Sequence, residues 1–162
     1  YRNMALTKIN NNSLSAVTTL PAGVGGKVLQ VVQGSTSSIL NITTQSYVDT
    51  GLSASITPSS TSNKVLVLIH FFIEQITAGN TALSVIDRNG THINQDPYGV
   101  YSYAFGDGLT FSHSELDSPN STSALTYKLQ MKNEGSGYTT KFGSNTTAGN
   151  GEMTIQLLEI AG

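Results

Sequence analysis

The sequence predicts an all-β fold, a sandwich or a barrel, on three observations. Short segments alternate apolar and polar residues, turn-forming residues stand between them, and no convincing helical pattern follows residue 26. Alternation with a period of two places apolar side chains on one face of a strand. Regularly spaced short strands separated by turns are typical of sandwiches and barrels. We therefore expect an arm or linker over residues 1–26 and a β-sandwich domain over 27–162.

The first 26 residues differ from the rest in composition. They contain a polar break at 10–13 and a glycine-rich, turn-forming stretch at 20–26. Their apolar residues recur at spacings of three to five, which suits either a short helix or, as we favour, an extended segment docked on another surface. This pattern predicts an attachment arm, whose candidate contact residues are Leu6, Ile9, Leu14, Val17 and Leu20.

The strands follow in quick succession from residue 27. Asn89-Gly90 supplies the positive φ angles that a tight hairpin turn needs, and Gly106-Asp107-Gly108 marks a second hairpin. The predicted strands are 28–33, 38–44, 47–56, 64–73, 83–88, 91–95, 98–105, 109–116, 125–132, 138–142 and 152–160.

The segment 64–73 is the only long apolar run in the chain. It does not alternate, so we expect both of its faces to be buried, either between two sheets or between the core and a neighbouring subunit of a trimer. The candidate interface residues in this run are Val67, Ile69, Phe71 and Ile73.

Composition excludes several classes of function. Charged residues make up 11% of the chain and the net charge is −2, so no basic surface is available for nucleic acid or for an anionic membrane. The absence of cysteine excludes disulfides and thiolate chemistry. No apolar stretch reaches the roughly 18 residues of a membrane-spanning helix, and no signal peptide is visible. We expect neither membrane insertion nor a cofactor.

Three polar clusters contain residue types that can take part in metal binding or acid–base chemistry. His113, Glu115 and Asp117 share one face of a predicted strand and could form a metal or acid–base site, although a solvated strand face is favoured. The segment 87–92 could suggest a calcium loop, but it lacks the alternating acidic ligands, and a hairpin tip is favoured. His70 next to aromatic residues is expected to be a hydrogen-bonded core residue.

Aromatic residues concentrate in the segment 98–105. Tyrosine offers a flat apolar face and a hydroxyl, which suits the recognition of sugars or proteins, although packing in the core or between subunits is the favoured alternative. The candidate residues for contact with a host glycan or protein are Tyr98, Tyr101, Tyr103, Asp107, Tyr138 and Asn145.

Several short motifs in residues 26–162 resemble small surface proteins and fibre tips of tailed bacteriophages, especially those of cyanophages and other marine phages. The motifs are structural and contain no catalytic signature. They are GKVLQVVQ at 26–33, YVDTGL at 47–52, ITP at 56–58, STSNKVLV at 60–67, LDSP at 116–119 and LLEI at 157–160.

This resemblance implies a jelly-roll-like antiparallel β-sandwich on the virion surface, commonly a homotrimer, with the arm bound to another virion protein. We expect a non-enzymatic tail- or head-fibre tip whose distal loops contact the host; a capsid decoration or cement protein is the alternative. A glycan depolymerase using Glu115 and Asp117 is disfavoured. The short arm departs from the family, since long fibres carry an extended shaft.

Overall fold

The computed structural model describes residues 28–75, 79, 81–93, 109–143 and 151–162. In these ranges every regular element is a β-strand, which confirms the all-β prediction. None of the described residues belongs to a helix that could cross a membrane. The strands are β1 Val28–Thr36, β2 Leu40–Ile42, β3 Val48–Ile56, β4 Lys64–Gln75, β5 Ala82–Arg88, β6 Thr91–His92, β7 Leu109–Asp117, β8 Leu125–Asn133, β9 Thr140–Phe142 and β10 Met153–Ile160.

The strands pair into two antiparallel sheets. The first, six-stranded sheet has the order β1-β10-β4-β9-β2, and β7 pairs with β4 in addition. The second, four-stranded sheet has the order β3-β8-β5-β6. Apolar side chains from both sheets form one buried cluster, so the sheets pack as a sandwich, as predicted. The arm, the predicted strand 98–105 and the hairpin at 106–108 lie outside the described residues.

Alternation along the strands builds the core. In β8 and β10 every second residue is buried and every intervening residue is half-buried. Leu125, Tyr127, Leu129 and Met131 of β8 meet the inward side chains of the first sheet. Removing such side chains from water stabilises the fold by about 1.5–3 kcal/mol for each fully buried large residue.

The long apolar strand β4 lies in the interior of the first sheet, between β10 and β7. Val67, Ile69, Phe71 and Ile73 are at most 2% exposed because they face the second sheet. Their assignment to a subunit interface is therefore corrected: they form the protein's own core and no second subunit can reach them. The alternate residues of β4 point outward; Lys64 is exposed, and those from Leu66 to Glu74 are half-buried.

The hairpin between β5 and β6 forms where Asn89-Gly90 predicts it. Both residues have positive φ, 49° and 88°, and Arg88 pairs with Thr91 across the turn. The Asp87 side chain accepts a hydrogen bond from the amide of Gly90 at 3.0 Å. Asp87 thus stabilises a hairpin tip, which was the favoured alternative to a calcium loop.

Candidate functional site

The outer face of the six-stranded sheet carries a continuous row of four apolar side chains. Val31, Leu158, Leu66 and Leu116 occupy directly paired positions on β1, β10, β4 and β7. Residues paired across antiparallel strands lie side by side on the same face of the sheet. Val31 is 61% exposed and Leu116 is 50% exposed, while the two central leucines are half-buried. We call these four residues the apolar row.

Further apolar residues extend the row toward the start of β1. Val28 is 47% exposed and Leu29 is 49% exposed, and Val28 pairs with the half-buried Ile160. Lys64, the residue paired with Ile160 on β4, is the charged group at this end of the face. The outer face therefore presents aliphatic surface where β1 begins, next to residues 1–27 in the sequence.

Two uncharged rows, polar except for one leucine, lie beside the apolar row; we call them the polar rows. In the first, the Gln156 side chain donates to that of Gln33 at 2.8 Å, and the paired residues on β4 and β7 are Leu68 and Ser114. The second consists of Ser35, Thr154, His70 and Ser112. The three rows contain no Asp, Glu, Lys or Arg, so this part of the face is uncharged, and the exposed Lys64 lies beside it at the end where β1 begins.

A shallow groove of about 250 Å³ crosses the two polar rows. The Nδ1 atom of His70 lies 3.2 Å from the Ser112 hydroxyl, and its ring meets the ring of Phe72 edge-on at 5.3 Å between centroids. The expectation that His70 belongs to the core is corrected, because even-numbered residues of β4 face outward. The groove can offer hydroxyl, amide and imidazole hydrogen bonds; its main lining residues are Leu68, His70, Ser112, Ser114, Thr154 and Gln156.

The predicted trio on β7 shares one face, and that face points toward the second sheet. His113 Nε2 and Glu115 Oε2 are 3.8 Å apart, and all three side chains are partly buried. The solvated strand face that we favoured is therefore corrected to an inward-facing one. Within the described ranges, no three His, Cys, Asp or Glu side chains are grouped so that they could hold a metal ion.

Asp117 connects the two sheets. The Arg88 guanidinium donates to both carboxylate oxygens, at 2.6 Å to Oδ1, and the Tyr127 hydroxyl donates to Oδ2 at 2.7 Å. Burial raises the pKa of Tyr127, and its hydrogen bond to Asp117 raises that pKa further, so the phenol remains a donor. Burial alone would lower the pKa of Arg88, but Asp117 outweighs it and the pKa is raised. The cluster ties β7 to β5 and β8.

Glu159 is a buried carboxylate that the sequence interpretation did not single out. Its exposed fraction is 1%, and it accepts hydrogen bonds from Gln30 at 2.6 Å, Asn63 at 2.5 Å, the Ser59 amide at 2.6 Å and the Ser59 hydroxyl at 2.7 Å. Burial alone would raise the pKa of Glu159, but these donors outweigh burial and lower it to about 2. The carboxylate thus joins β10 to β1 and to the β3–β4 turn.

Glu159 could have been identified from its position in the alternation of inward and outward residues along β10. Met153, Ile155 and Leu157 alternate inward along β10, and Glu159 continues the same alternation. A glutamate in a core phase is expected to have dedicated hydrogen-bond partners, because an unpaired buried charge is very costly.

Tyr138 is the one candidate host-contact residue within the described ranges. It is half-buried, and its backbone carbonyl accepts a hydrogen bond from the Asn133 side chain at 2.9 Å. The other candidate contact residues and the arm residues lie outside the described residues, so these predictions stand as they were; they are Tyr98, Tyr101, Tyr103, Asp107, Asn145, Leu6, Ile9, Leu14, Val17 and Leu20.

Comparison with known proteins gives no family assignment. No family model and no curated protein matches the chain. One similar solved structure is that of infectious bursal disease virus, Gx strain, with 11% identity and a TM-score of 0.42 over 83% of this chain and 37% of that one. Another is dimeric latent PorU from Porphyromonas gingivalis, with 10% identity and a TM-score of 0.36 over 85% of this chain and 14% of that one. Likeness at this level carries no functional inference.

Proposed function

We propose that the protein is a structural component of a virion surface, and specifically a tail- or head-fibre tip of a tailed phage. The observation that carries the proposal is the apolar row exposed on the outer face of a charge-poor sandwich. Contiguous exposed apolar surface on a soluble domain marks a site of interaction with another macromolecule. A domain that is rigid inside and adhesive on one sheet face suits assembly into a larger particle.

Internal polar ties support the rigidity of this domain. Glu159 fastens the β3–β4 turn to β1 and β10, and Asp117 fastens the first sheet to Arg88 and Tyr127 of the second. Satisfied buried polar networks favour one well-defined arrangement of a core. The charged groups of these networks, Glu159, Asp117 and Arg88, therefore stabilise the fold. This use of them favours a structural, non-enzymatic protein.

The phage assignment rests on the sequence resemblance over residues 26–162. In this proposal the arm at 1–26 docks on another virion protein, and the sandwich faces outward as a homotrimer. The loops 77–81 and 106–108, the tyrosine-rich segment, and residues 134–139 and 143–150 on either side of β9 contact a glycan or protein of the host surface. The predicted loop 134–150 is corrected in this respect, because Thr140–Phe142 form β9 and Phe142 is buried in the core. Several copies on one particle would convert weak individual contacts into strong attachment.

The alternative is a capsid decoration protein. The apolar row serves this function equally well, because it can cover capsid subunits and does not require a receptor. Both a fibre tip and a decoration protein would be bound to the particle, and they differ only in whether the distal loops contact the host.

Removal of residues 1–26 is expected to abolish binding to the particle. The truncated and full chains would be mixed with particles that lack the protein and then sedimented, with circular dichroism to verify that the sandwich remains folded. Only the full chain is expected to sediment with the particles. Co-sedimentation of the truncated chain would show that the arm is not the attachment segment.

Host adsorption separates the fibre tip from the decoration protein. A Tyr101→Ala variant, or replacement of residues 144–150, which leaves β9 intact, is expected to lower adsorption of reconstituted particles, whereas the matched surface variant Ser55→Ala leaves it unchanged. Unchanged adsorption in all three would favour the decoration protein.

A further inference from the structure

The apolar row crosses four of the six described strands of the first sheet, β1, β10, β4 and β7. β1 pairs only with β10 and β7 only with β4 among the described strands, so Val31 and Leu116 stand at the two edges. These end residues are also the most exposed members of the row. A partner that covered the row would therefore remove the largest amount of apolar surface from water at its two ends.

The chemistry of the face restricts the class of partner. The apolar row and the two rows beside it contain only aliphatic, amide, hydroxyl and imidazole side chains. Nucleic acid would need lysine or arginine, and a strongly charged protein surface would need opposite charges here. An apolar row with uncharged polar rows along one side can pack on a second copy of itself, because apolar residues can cover apolar residues and amides can meet hydroxyls. Lys64, on the other side of the row, lies at the rim of such a contact.

We propose that the partner is a second copy of this chain, packed through the apolar row. Stacking row on row buries Val31 and Leu116 at the ends and Leu66 and Leu158 at the centre, with Gln33, Gln156 and Ser114 at the polar rim. A pair of chains can use the whole row, and a ring of three can use one half of it against each neighbour. This proposal rests on the proposed function, because both depend on the apolar row, and it identifies the partner that covers that row.

The area of the face sets the expected strength of this association. Four strands about 4.8 Å apart and about 24 Å long present roughly 450 Å² of sheet surface. A standard stable interface buries about 800 Å² on each partner. The contact is therefore expected to be weak in free solution, with a dissociation constant in the micromolar range. Attachment of several copies to one particle would strengthen it.

Sedimentation velocity of the full chain tests the proposal at concentrations from about 1 to about 300 µM, which bracket a micromolar dissociation constant. Wild type is expected to reach a mass of two or more chains. Leu116→Lys and Val31→Lys are each expected to raise the dissociation constant about 30-fold or more, since each puts a charge into an apolar contact. Melting temperatures should stay near that of wild type, because both positions are exposed.

Leu109→Lys is the matched control. Leu109 is an exposed leucine on the same strand as Leu116, 41% against 50% exposed, but it lies outside the apolar row. This variant is expected to associate like wild type. Equal weakening by Leu109→Lys and Leu116→Lys would show a general effect of charge and would overturn the proposal.

Two other outcomes would also overturn it. A wild-type chain that stays a single chain at the highest concentration does not self-associate. An assembly that ignores both row variants but dissociates when residues 1–27 are removed would use the arm as its partner. A monomer that still sediments with particles through its arm rejects this inference alone, whereas a self-associating chain that ignores particles rejects the proposed function alone.

Discussion

Gly34→Ala is expected to lower the free energy of unfolding by about 3 kcal/mol, because the sandwich has no room for a side chain there. Gly34 pairs with Ile155 of β10, and its α-carbon faces the backbone of β3. A Cβ atom at this position would lie 1.9 Å from the carbonyl oxygen of Ser53. Backbone atoms cannot rotate away as a side chain can, so β1 and β3 would have to separate at this corner.

Urea denaturation of Gly34→Ala and of Ser35→Ala measures this effect. Ser35 is the next residue on β1 but its side chain points outward and is exposed, so its replacement is expected to change the free energy of unfolding by less than about 0.5 kcal/mol. A Gly34→Ala protein as stable as the Ser35→Ala protein would show that the close approach of β1 to β3 is wrong.

Glu159→Gln is expected to lower the free energy of unfolding by about 2–3 kcal/mol. The carboxylate accepts hydrogen bonds from Gln30, Asn63 and both donors of Ser59. A glutamine side chain offers one oxygen acceptor and places an NH₂ group among these donors. Some of them would then be buried without an acceptor. Glu152→Gln, at the exposed position just before β10 begins, is the matched control and is expected to be neutral.

The same carboxylate predicts a dependence of stability on pH. The pKa of Glu159 is about 2 in the folded protein and about 4.5 in an unperturbed glutamate. A pKa that folding depresses contributes stability above the unfolded value, and this contribution disappears as the pH falls toward the folded value. Wild type should therefore lose stability between about pH 5 and pH 2, and Glu159→Gln should lose less over this range. If the free energy of unfolding fell equally with pH in the two proteins, the depressed pKa of Glu159 would be contradicted.

Local patterns in the sequence predict much of this fold. Alternation in β8 and β10 correctly separates inward from outward side chains, and Asn89-Gly90 correctly places the β5–β6 hairpin. These features depend on neighbouring residues, so a reading of short windows is sufficient to find them. The bounds of most strands follow within a few residues for the same reason.

The apolar strand β4 shows where local patterns fail. Its outward residues Leu66, Leu68 and Phe72 are as apolar as its inward ones, so the period of two is hidden. The sequence therefore does not show which set faces the core, and the predicted interface position of Val67 is wrong because Val67 is buried in the core. The outward set is apolar because Leu66 belongs to the apolar row, and that row joins strands far apart in the chain.

The hydrogen-bond networks of Glu159 and Asp117 show a second limit of prediction from local sequence patterns. The position of Glu159 in an inward phase is visible in the sequence, but its partners Ser59 and Asn63 come from a turn about a hundred residues earlier. Asp117 likewise shares a strand face with His113 and Glu115, yet its partners Arg88 and Tyr127 belong to the opposite sheet. Only the packing of the two sheets brings such groups together.

Electron microscopy of the intact particle with this protein labelled tests the virion role most directly. We expect several copies at the particle surface, each attached at the end where β1 begins, with neighbouring sandwiches in contact through the outer face of the six-stranded sheet. A particle surface without the label, or copies bound singly with that face exposed to solvent, would contradict the proposed role.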